Sequence, residues 1–247
     1  MKIKEICAKT ILSKSKISDY TINPYIGCEY ACAYCYARFM RRFVGHKEKW
    51  GEFLDVKVNA PILLRREIKK KTIGKVWISG VCDPYQNIEE KYELTKQCLE
   101  ILLEHEWPVT LQTKSPLILR DLHLIKKFSN AEVGLSIATS DEKLIKSFEP
   151  NTPSIKDRIE TLEKLHSENI DTFLMIAPLL PNAKLLIPQI EGKVDYVLID
   201  KMNYHHADRI YKRLKMESDK THDFFAREKR ELTDLFMKKK LPFQFLF

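Results

Sequence analysis

The chain has 247 residues, of which 44% are hydrophobic and 31% charged, and a formal net charge of +8. This composition is typical of a globular protein and excludes a disordered one, and the length suits a single α/β domain. No apolar run approaches the roughly 18 residues of a membrane span, and the N-terminal stretch MKIKE has no signal-peptide core. We therefore expect a cytoplasmic protein with no membrane partner, whose six cysteines stay reduced.

The positive charge is concentrated in three short clusters of the sequence. Such a basic balance permits contact with DNA or RNA, or with an acidic electron-donor protein. A lysine-rich solvated surface is the alternative, because 34 acidic residues are interspersed and no recognised nucleic-acid-binding motif is present. The clusters are Arg38 with Arg41 and Arg42, Arg65 and Arg66 with Lys69 to Lys71, and Lys238 to Lys240.

In chain order, residues 1–19 are predicted as an N-terminal extension. Residues 18–22 are interpreted as leading into the first short strand and then a cysteine-rich loop. Residues 36–44 are predicted as the first helix, which Gly45 ends. Residues 46–58 are interpreted as a connection. From residue 61 onward, helices and strands alternate.

This alternation indicates βαβ units and a parallel sheet. With the first strand, about six strands fit between residues 20 and 200, which predicts a six-repeat α/β fold, a (β/α)6 partial TIM barrel. Residues 201–247 are predicted as a helical C-terminal extension packed on the barrel. The later strands are placed at 75–79, 109–113, 133–137, 171–176 and 194–200, and the helices at 61–72, 89–105, around 119–125, 141–148, 155–168 with Ser154 as cap, and 183–191.

Three cysteines lie within eight residues of the loop, spaced C-x3-C-x2-C: Cys28, Cys32 and Cys35. Thiolates this close in the chain suit a metal centre or cluster. Three protein ligands suit an iron–sulfur cluster that keeps one iron open, as catalytic metal sites keep one position free. A zinc site is the alternative, and it needs a fourth ligand from Cys7, His46 or Cys82.

Polar residues follow several of the predicted strands. In α/β barrels the active site lies at the carboxyl ends of the strands, so these side chains are candidates to bind a zwitterionic, hydroxyl-rich ligand. Lys114 suits a carboxylate or ribose oxygens, and Ser136 can hydrogen-bond a polar edge. The strand-end residues are Asp83, Tyr85, Lys114, Ser136, Thr139, Pro178 and Asp200.

The cysteine spacing, with an aromatic residue before the third cysteine, resembles the radical S-adenosylmethionine (SAM) superfamily. The longer string N-P-Y-x-G-C-x-x-x-C-x-Y-C-Y-A-R, over residues 23–38, is similar to the branch that contains spore photoproduct lyase. The resemblance implies a [4Fe–4S] cluster held by Cys28, Cys32 and Cys35, with SAM chelating the fourth iron. It also implies reductive cleavage of SAM to a 5′-deoxyadenosyl radical, with an electron from reduced flavodoxin or ferredoxin.

The resemblance extends to individual site residues. Asp83, Lys114 and Ser136 match positions at the SAM site. Tyr34 and Tyr36 match the aromatic positions around the third cysteine, and we assign Tyr34 to cofactor binding and Tyr36 to catalysis. Glu149 and Arg158 match a recurring acid and arginine that steady SAM or pair with each other, and Arg158 is taken as a cofactor-binding candidate. Cys82 stands where the lyase has the serine of a Ser-Asp pair and is taken as a catalytic candidate.

One departure limits the resemblance. The hydrogen-donor cysteine of the lyase aligns with Gly80, so thymine-dimer repair is not implied. The sequence therefore predicts a radical SAM enzyme with an unidentified substrate, with Arg38, Arg41 and Arg42 as a dock for the electron donor. The alternatives are a nucleic-acid repair or modification enzyme related to the lyase, and a non-catalytic iron–sulfur or zinc binding protein.

Overall fold

The computed structural model describes residues 1–247. The chain forms two compact units. The first comprises Met1–Ala31 and Ala37–Val133, and the second comprises Cys32–Tyr36 and Gly134–Phe247. None of the helices combines the length and apolar character that crossing a membrane requires.

The first unit contains two sheets and five helices. Short 3-10 helices at Ile68–Lys70 and Pro116–Asp121 extend α2 and precede α5. The elements are β1 (Lys2–Ile6), β2 (Ser13–Lys14), β3 (Tyr20–Ile22), β4 (Tyr25–Ile26), α1 (Met40–Val44), β5 (Phe53–Lys57), α2 (Ala60–Glu67), β6 (Val76–Ile78), α3 (Glu89–Tyr92), α4 (Leu94–Glu104), β7 (Val109–Thr113), α5 (Leu122–Ile125) and β8 (Ala131–Ser136), whose last three residues belong to the second unit.

Strand pairing in the first unit is mostly parallel. β3, β6 and β7 pair in parallel in that order, and β2 adds to β3 as a short antiparallel edge strand. In the other sheet, β5 lies between β1, which is parallel to it, and β4, which is antiparallel. The sheets are therefore mixed, and β4 leads directly into the cysteine loop.

The helix predicted over 89–105 is present but interrupted. Glu93 has a φ of +49°, which separates α3 from α4. On α4, Leu94, Cys98 and Leu102 lie on one buried face, as the helical spacing of apolar residues predicts. The interpretation of Cys98 as a small core residue is confirmed, since its side chain is fully buried.

The second unit continues the alternation of strands and helices. β9 pairs in parallel with β10, and β10 pairs in parallel with β11. Short 3-10 helices lie at Ala183–Leu186, His205–Ala207 and Glu217–Lys220. The elements are α6 (Glu142–Phe148), α7 (Ile155–Ser167), β9 (Asp171–Ile176), α8 (Ile187–Ile190), β10 (Tyr196–Ile199), α9 (Asp208–Arg213), α10 (His222–Lys239) and β11 (Phe243–Phe245).

The predicted start of α7 is confirmed. The Ser154 hydroxyl accepts the Asp157 N–H, and the Asp157 carboxylate accepts the Ser154 N–H, which together form a capping box. This arrangement satisfies two donors that a helix start leaves open. Arg158 follows in the first turn of α7, and its guanidinium donates to the carbonyl of Ser136, the last residue of β8.

The interpretation of residues 46–58 as a connection was wrong, because Phe53–Lys57 forms β5. The pattern was hard to read because Phe53, Leu54, Asp55 and Val56 are all buried, so no alternation between an inner and an outer face appears. Three further strands arise in segments predicted as extensions: β1 pairs with β5, β2 with β3, and β11 with β10. The partners of β1 and β11 are distant in sequence, so no local pattern marks these two strands.

Candidate metal centre and SAM site

The first part of the cysteine loop belongs to the first unit. Gly27, at a φ of +97°, lies between β4 and Cys28, and a Cβ there would be 2.4 Å from the carbonyl oxygen of Phe53. Only glycine fits this close approach to β5. Cys28 is buried, and its carbonyl accepts the Ala31 N–H at 3.3 Å, which closes a turn.

The second part of the loop belongs to the second unit. The Ala33 N–H donates to the Phe148 carbonyl at 2.7 Å, so the loop is anchored at the end of α6. The Cys35 N–H donates to the Cys32 carbonyl at 3.1 Å, which forms a second turn. Cys28 and Cys32 are buried, and Cys35 is half-buried. Three cysteines in eight residues provide the donor set that an iron–sulfur cluster with one open iron requires, so the chemistry of these residues fits that group.

The three residues considered as a fourth zinc ligand have other surroundings. Both ring nitrogens of His46 have carboxylate partners, Asp55 at 3.0 Å and Glu48 at 3.2 Å. Cys7 is exposed. The Cys82 thiol donates to the Tyr25 carbonyl at 3.5 Å, and burial raises the pKa of Cys82 to about 12.

Asp83 connects the end of β6 with the end of β7. Its carboxylate accepts the Thr113 hydroxyl at 2.5 Å, the Lys114 N–H at 2.8 Å and the Tyr85 N–H at 3.0 Å. Burial raises the pKa of Asp83, while these donors act in the opposite direction. The structure therefore brings Asp83 and the backbone of Lys114 together, as expected for neighbouring strand ends.

A buried polar network surrounds Tyr34 in the second unit. The Tyr34 hydroxyl donates to Glu149, and Glu149 forms an ion pair with Arg158 at 2.7 Å in which both side chains are fully buried. Burial raises the pKa of Tyr34 well above its usual range, so the phenol stays neutral and can donate. Arg158 also donates to the Ser136 carbonyl at 3.0 Å. Ser136, Tyr34 and Arg158, three of the predicted site residues, thus meet in one network.

The guanidinium of Arg158 is surrounded by protein acceptors. Besides Glu149 and Ser136, it donates to the Pro153 carbonyl and to the Thr152 hydroxyl. Of the two alternatives for Glu149 and Arg158, the structure shows that they pair with each other. The contacts of Arg158 indicate that it positions Glu149 and the end of β8.

Tyr36 has a different environment from Tyr34. It is exposed, and its ring stacks on Tyr204 with centroids 6.4 Å apart, while Tyr204 stacks on His206 at 5.6 Å. The two tyrosines that flank Cys35 therefore have different environments: Tyr34 donates into a buried network, and Tyr36 contributes to an aromatic surface.

Sequence reasoning missed a second buried network, in the first unit. Glu89 is fully buried and accepts the Tyr25 hydroxyl, the Thr95 N–H at 3.0 Å and the Arg120 guanidinium at 2.9 Å. Burial raises the pKa of Glu89, which its hydrogen-bond donors oppose. The network links the tyrosine of the N-P-Y stretch to the start of α4. Glu89 opens a helix with a second acidic residue, so its sequence pattern is that of an exposed first turn.

Several known proteins are similar to this chain in sequence. A 40% identical relative is an uncharacterized protein of Methanocaldococcus jannaschii, and the similarity covers 74% of this chain and 69% of that protein. An uncharacterized protein of Mycobacterium tuberculosis is 31% identical over 66% of this chain and 50% of its own length. This chain thus spans about half the length of the mycobacterial relative.

Among solved structures, spore photoproduct lyase in complex with dinucleoside spore photoproduct is similar in fold. Its TM-score is 0.66 at 18% sequence identity, over 85% of this chain and 66% of the lyase chain. The family model described as the Radical SAM superfamily matches residues 22–184, which include the cysteine loop and strands β6 to β9. The chain therefore belongs to the Radical SAM superfamily of enzymes.

Proposed function

We propose that the chain binds a [4Fe–4S] cluster through Cys28, Cys32 and Cys35, cleaves SAM reductively and abstracts hydrogen from a substrate. The observation that carries this proposal is the set of three cysteines spaced C-x3-C-x2-C in a member of this superfamily. When bound, the cluster supplies the electron for the cleavage and an iron open to the amino and carboxylate groups of SAM.

We propose roles in SAM binding for four residues and a supporting role for a fifth. Asp83 fixes the backbone at the end of β7 and so places Lys114, whose ammonium group is proposed to bind the SAM carboxylate or ribose. Tyr34 is proposed to pack against SAM with its ring orientation set by Glu149, and Ser136 to hydrogen-bond the ligand. Arg158 supports this set by holding Glu149 and the Ser136 carbonyl.

The two proposed catalytic residues differ in the support that they have. Cys82 carries a protonated thiol at neutral pH, which is the form that can give up a hydrogen atom. Tyr36 lies at an exposed position next to Cys35 in the chain and stacks on Tyr204, which suits contact with a bound substrate.

The first test is anaerobic reconstitution with iron and sulfide, reduction with dithionite and quantification of 5′-deoxyadenosine after SAM is added. We expect the wild type to form it and Cys32→Ala to fall to the level of a protein-free control, because the variant lacks one of three ligands. Cys7→Ala, an exposed cysteine outside the motif, is the matched control and should match the wild type. Wild-type protein that retains zinc and forms no deoxyadenosine would favour the non-catalytic alternative.

A nucleic-acid substrate is the second candidate, because the similar fold of the lyase binds a dinucleoside photoproduct. Ultraviolet-treated DNA and RNA are therefore the first substrates to test. If nucleic acid is bound, its affinity should fall linearly on a log–log plot against salt concentration, with a slope set by the number of phosphate contacts. Binding that does not change with salt would instead favour a protein or small-molecule substrate.

The electron donor is proposed to be reduced flavodoxin or ferredoxin, docked on the basic helix α1. Arg42 is exposed there beside the exposed aromatic pair Phe39 and Phe43. Arg41 contributes less charge to this surface than predicted, because its guanidinium donates to the carbonyls of His46 and Lys47 at 3.0 and 2.7 Å. The basic and apolar character of α1 suits an acidic protein partner.

Charge reversal on α1 tests this dock. Arg42→Glu should slow reduction by flavodoxin on the order of tenfold, because steering by complementary charge raises association rates by at least that factor. Reduction by dithionite should not change. Arg66→Glu, an exposed arginine at the end of α2, is the matched control. Equal slowing with flavodoxin and dithionite would contradict the proposed dock.

The finer architecture is part of the same proposal. We propose that β3, β6, β7, β8, β9 and β10 are the six strands of a (β/α)6 partial barrel over residues 20–200. Residues 1–19 and 201–247 then form extensions, and the parallel pairs β3–β6–β7 and β9–β10 support this assignment. An experimental structure of the reconstituted protein, in which these six strands form one curved sheet, is the measurement that checks it.

A further inference from the structure

The segment over residues 82–89, which follows β6 and ends at the first residue of α3, contacts the start of the cysteine loop repeatedly. The Cys82 thiol donates to the Tyr25 carbonyl at 3.5 Å, and the Glu89 carboxylate accepts the Tyr25 hydroxyl. The Tyr30 hydroxyl donates to the Tyr85 carbonyl at 3.4 Å. These contacts lie on both sides of Cys28, so this segment determines the path of the chain around that residue.

Within this segment, Gln86 contacts the two residues that flank Cys28. Its side chain is fully buried. The side-chain carbonyl oxygen Oε1 accepts the Glu29 N–H at 2.9 Å, and the amide nitrogen Nε2 donates to the Gly27 carbonyl at 3.4 Å. Gly27 and Glu29 are the residues directly before and after Cys28. One amide therefore holds both neighbours of a proposed cluster ligand.

The side chain of Glu29 also contacts this segment. The Glu29 carboxylate accepts the Ile88 N–H at 2.8 Å, so the 82–89 segment holds both the backbone and the side chain of Glu29. The Gln86 carbonyl in turn accepts the Glu89 N–H at 2.8 Å, which anchors Gln86 at the start of α3. The Gln86 backbone is thus anchored to α3, and its side chain forms hydrogen bonds with the cysteine loop.

The amide of Gln86 can make both of these bonds, which glutamate and leucine cannot. The Glu29 N–H needs an acceptor and the Gly27 carbonyl needs a donor, and glutamine provides one of each. Glutamate keeps the acceptor and loses the donor, whereas leucine, of similar volume, provides neither. A buried peptide group that loses its partner moves to find another or remains unsatisfied, and either change reorients the peptide bonds around Cys28.

We propose that Gln86 is a positioning residue for the Cys28 ligand, which it orients through the peptide groups of Gly27 and Glu29. This inference rests on the proposed function, in that Cys28 is taken as a ligand of the cluster. Groups outside the ligand set that orient metal ligands affect metal retention, and hydrogen bonds near the sulfur atoms affect the reduction potential. Gln86 therefore acts on the stability of the metal centre and on its potential without touching it.

The test compares Gln86→Leu, Gln86→Glu and Gln97→Leu after anaerobic reconstitution. Gln97 is the matched control, because it is a half-buried glutamine on α4 whose amide donates to the Tyr92 carbonyl at 3.0 Å, outside the loop. The rate of iron release to a chelator and the midpoint potential are measured for each protein. Thermal unfolding of the metal-free proteins reports on the fold separately.

We expect Gln86→Leu to release iron about 10- to 100-fold faster than the wild type, the range for partners that orient metal ligands. Gln86→Glu should fall between the two, because it keeps the acceptor for the Glu29 N–H. Gln97→Leu should match the wild type in release rate and midpoint potential, whereas the midpoint potential should shift in both Gln86 variants. If Gln86→Leu does not fold, an intermediate release rate and a shifted potential in Gln86→Glu still support the proposal.

Other outcomes separate the inference from the proposed function. Wild-type release rates and potential in both Gln86 variants would overturn the positioning role while leaving the cluster in place. Wild-type protein that retains zinc instead of an iron–sulfur cluster would overturn the proposed function, and the same order of release rates for zinc would still support Gln86. Wild-type protein that binds neither metal overturns both.

Discussion

Replacing Arg158 with methionine is expected to lower the free energy of unfolding by about 3–5 kcal/mol, the range for removing one partner of a buried ion pair. The variant leaves the fully buried Glu149 carboxylate without its cation, 2.7 Å from where the guanidinium stood. It also removes the donor to the Ser136 carbonyl. Urea denaturation of the metal-free protein, with the midpoint and slope compared to those of the wild type, measures the loss.

Two controls show whether burial of this pair causes the effect. Lys156→Met removes an exposed partner of Glu160 on the same helix and should change stability by less than about 0.5 kcal/mol. The double variant Arg158→Met, Glu149→Leu should be less destabilised than the sum of the two single variants by about 0.5–3 kcal/mol. Full additivity would show that the two side chains do not act as a pair.

Gly27→Ala is expected to have the second large effect. The new Cβ would meet the Phe53 carbonyl oxygen at 2.4 Å, and the φ of +97° is one that alanine rarely adopts. Backbone strain and overpacking each cost about 1–3 kcal/mol, so we expect a loss of several kcal/mol. Because Gly27 directly precedes Cys28, the reconstituted variant should also hold less iron per chain than the wild type.

Gly192→Ala is the matched control for Gly27→Ala. Gly192 also has a positive φ, +71°, but a Cβ there has no atom within 4 Å. It therefore reports conformational strain alone, about 1–2 kcal/mol. Equal losses of unfolding free energy in the two variants, measured by urea denaturation, would mean that β5 yields to the added methyl group. Unchanged iron content in Gly27→Ala would contradict the constraint on the loop.

Local signals in the sequence were sufficient for much of the fold. The strands over 109–113 and 171–176 occur with the predicted bounds, because each is a short apolar run between turn residues. The helix after Ser154 begins where its capping residue predicts. Gly45 ends α1, as predicted, and it does so in the left-handed conformation. In each case the determining interactions lie within a few residues of one another.

The pairing of the outer strands could not be predicted in this way. β1 pairs with β5, about fifty residues further along the chain, and its exposed residues lack the alternation that marks a half-buried strand. β11 is a strand because it pairs in parallel with β10, at the edge of the sheet. A strand of this kind is stabilised by hydrogen bonds to a distant partner, and no periodicity in its own residues records that partner.

For the proposed cluster site, the sequence by itself identified the candidate ligands: three cysteines closely spaced in the chain, in a member of this superfamily. It left open whether Glu149 and Arg158 pair, and it indicated no role for Gln86. Tertiary structure decided both, since Arg158 and Gln86 are fully buried and a buried polar group must find its partners within the protein. Those partners, Glu149 for Arg158 and the peptide groups beside Cys28 for Gln86, become neighbours only when the chain folds.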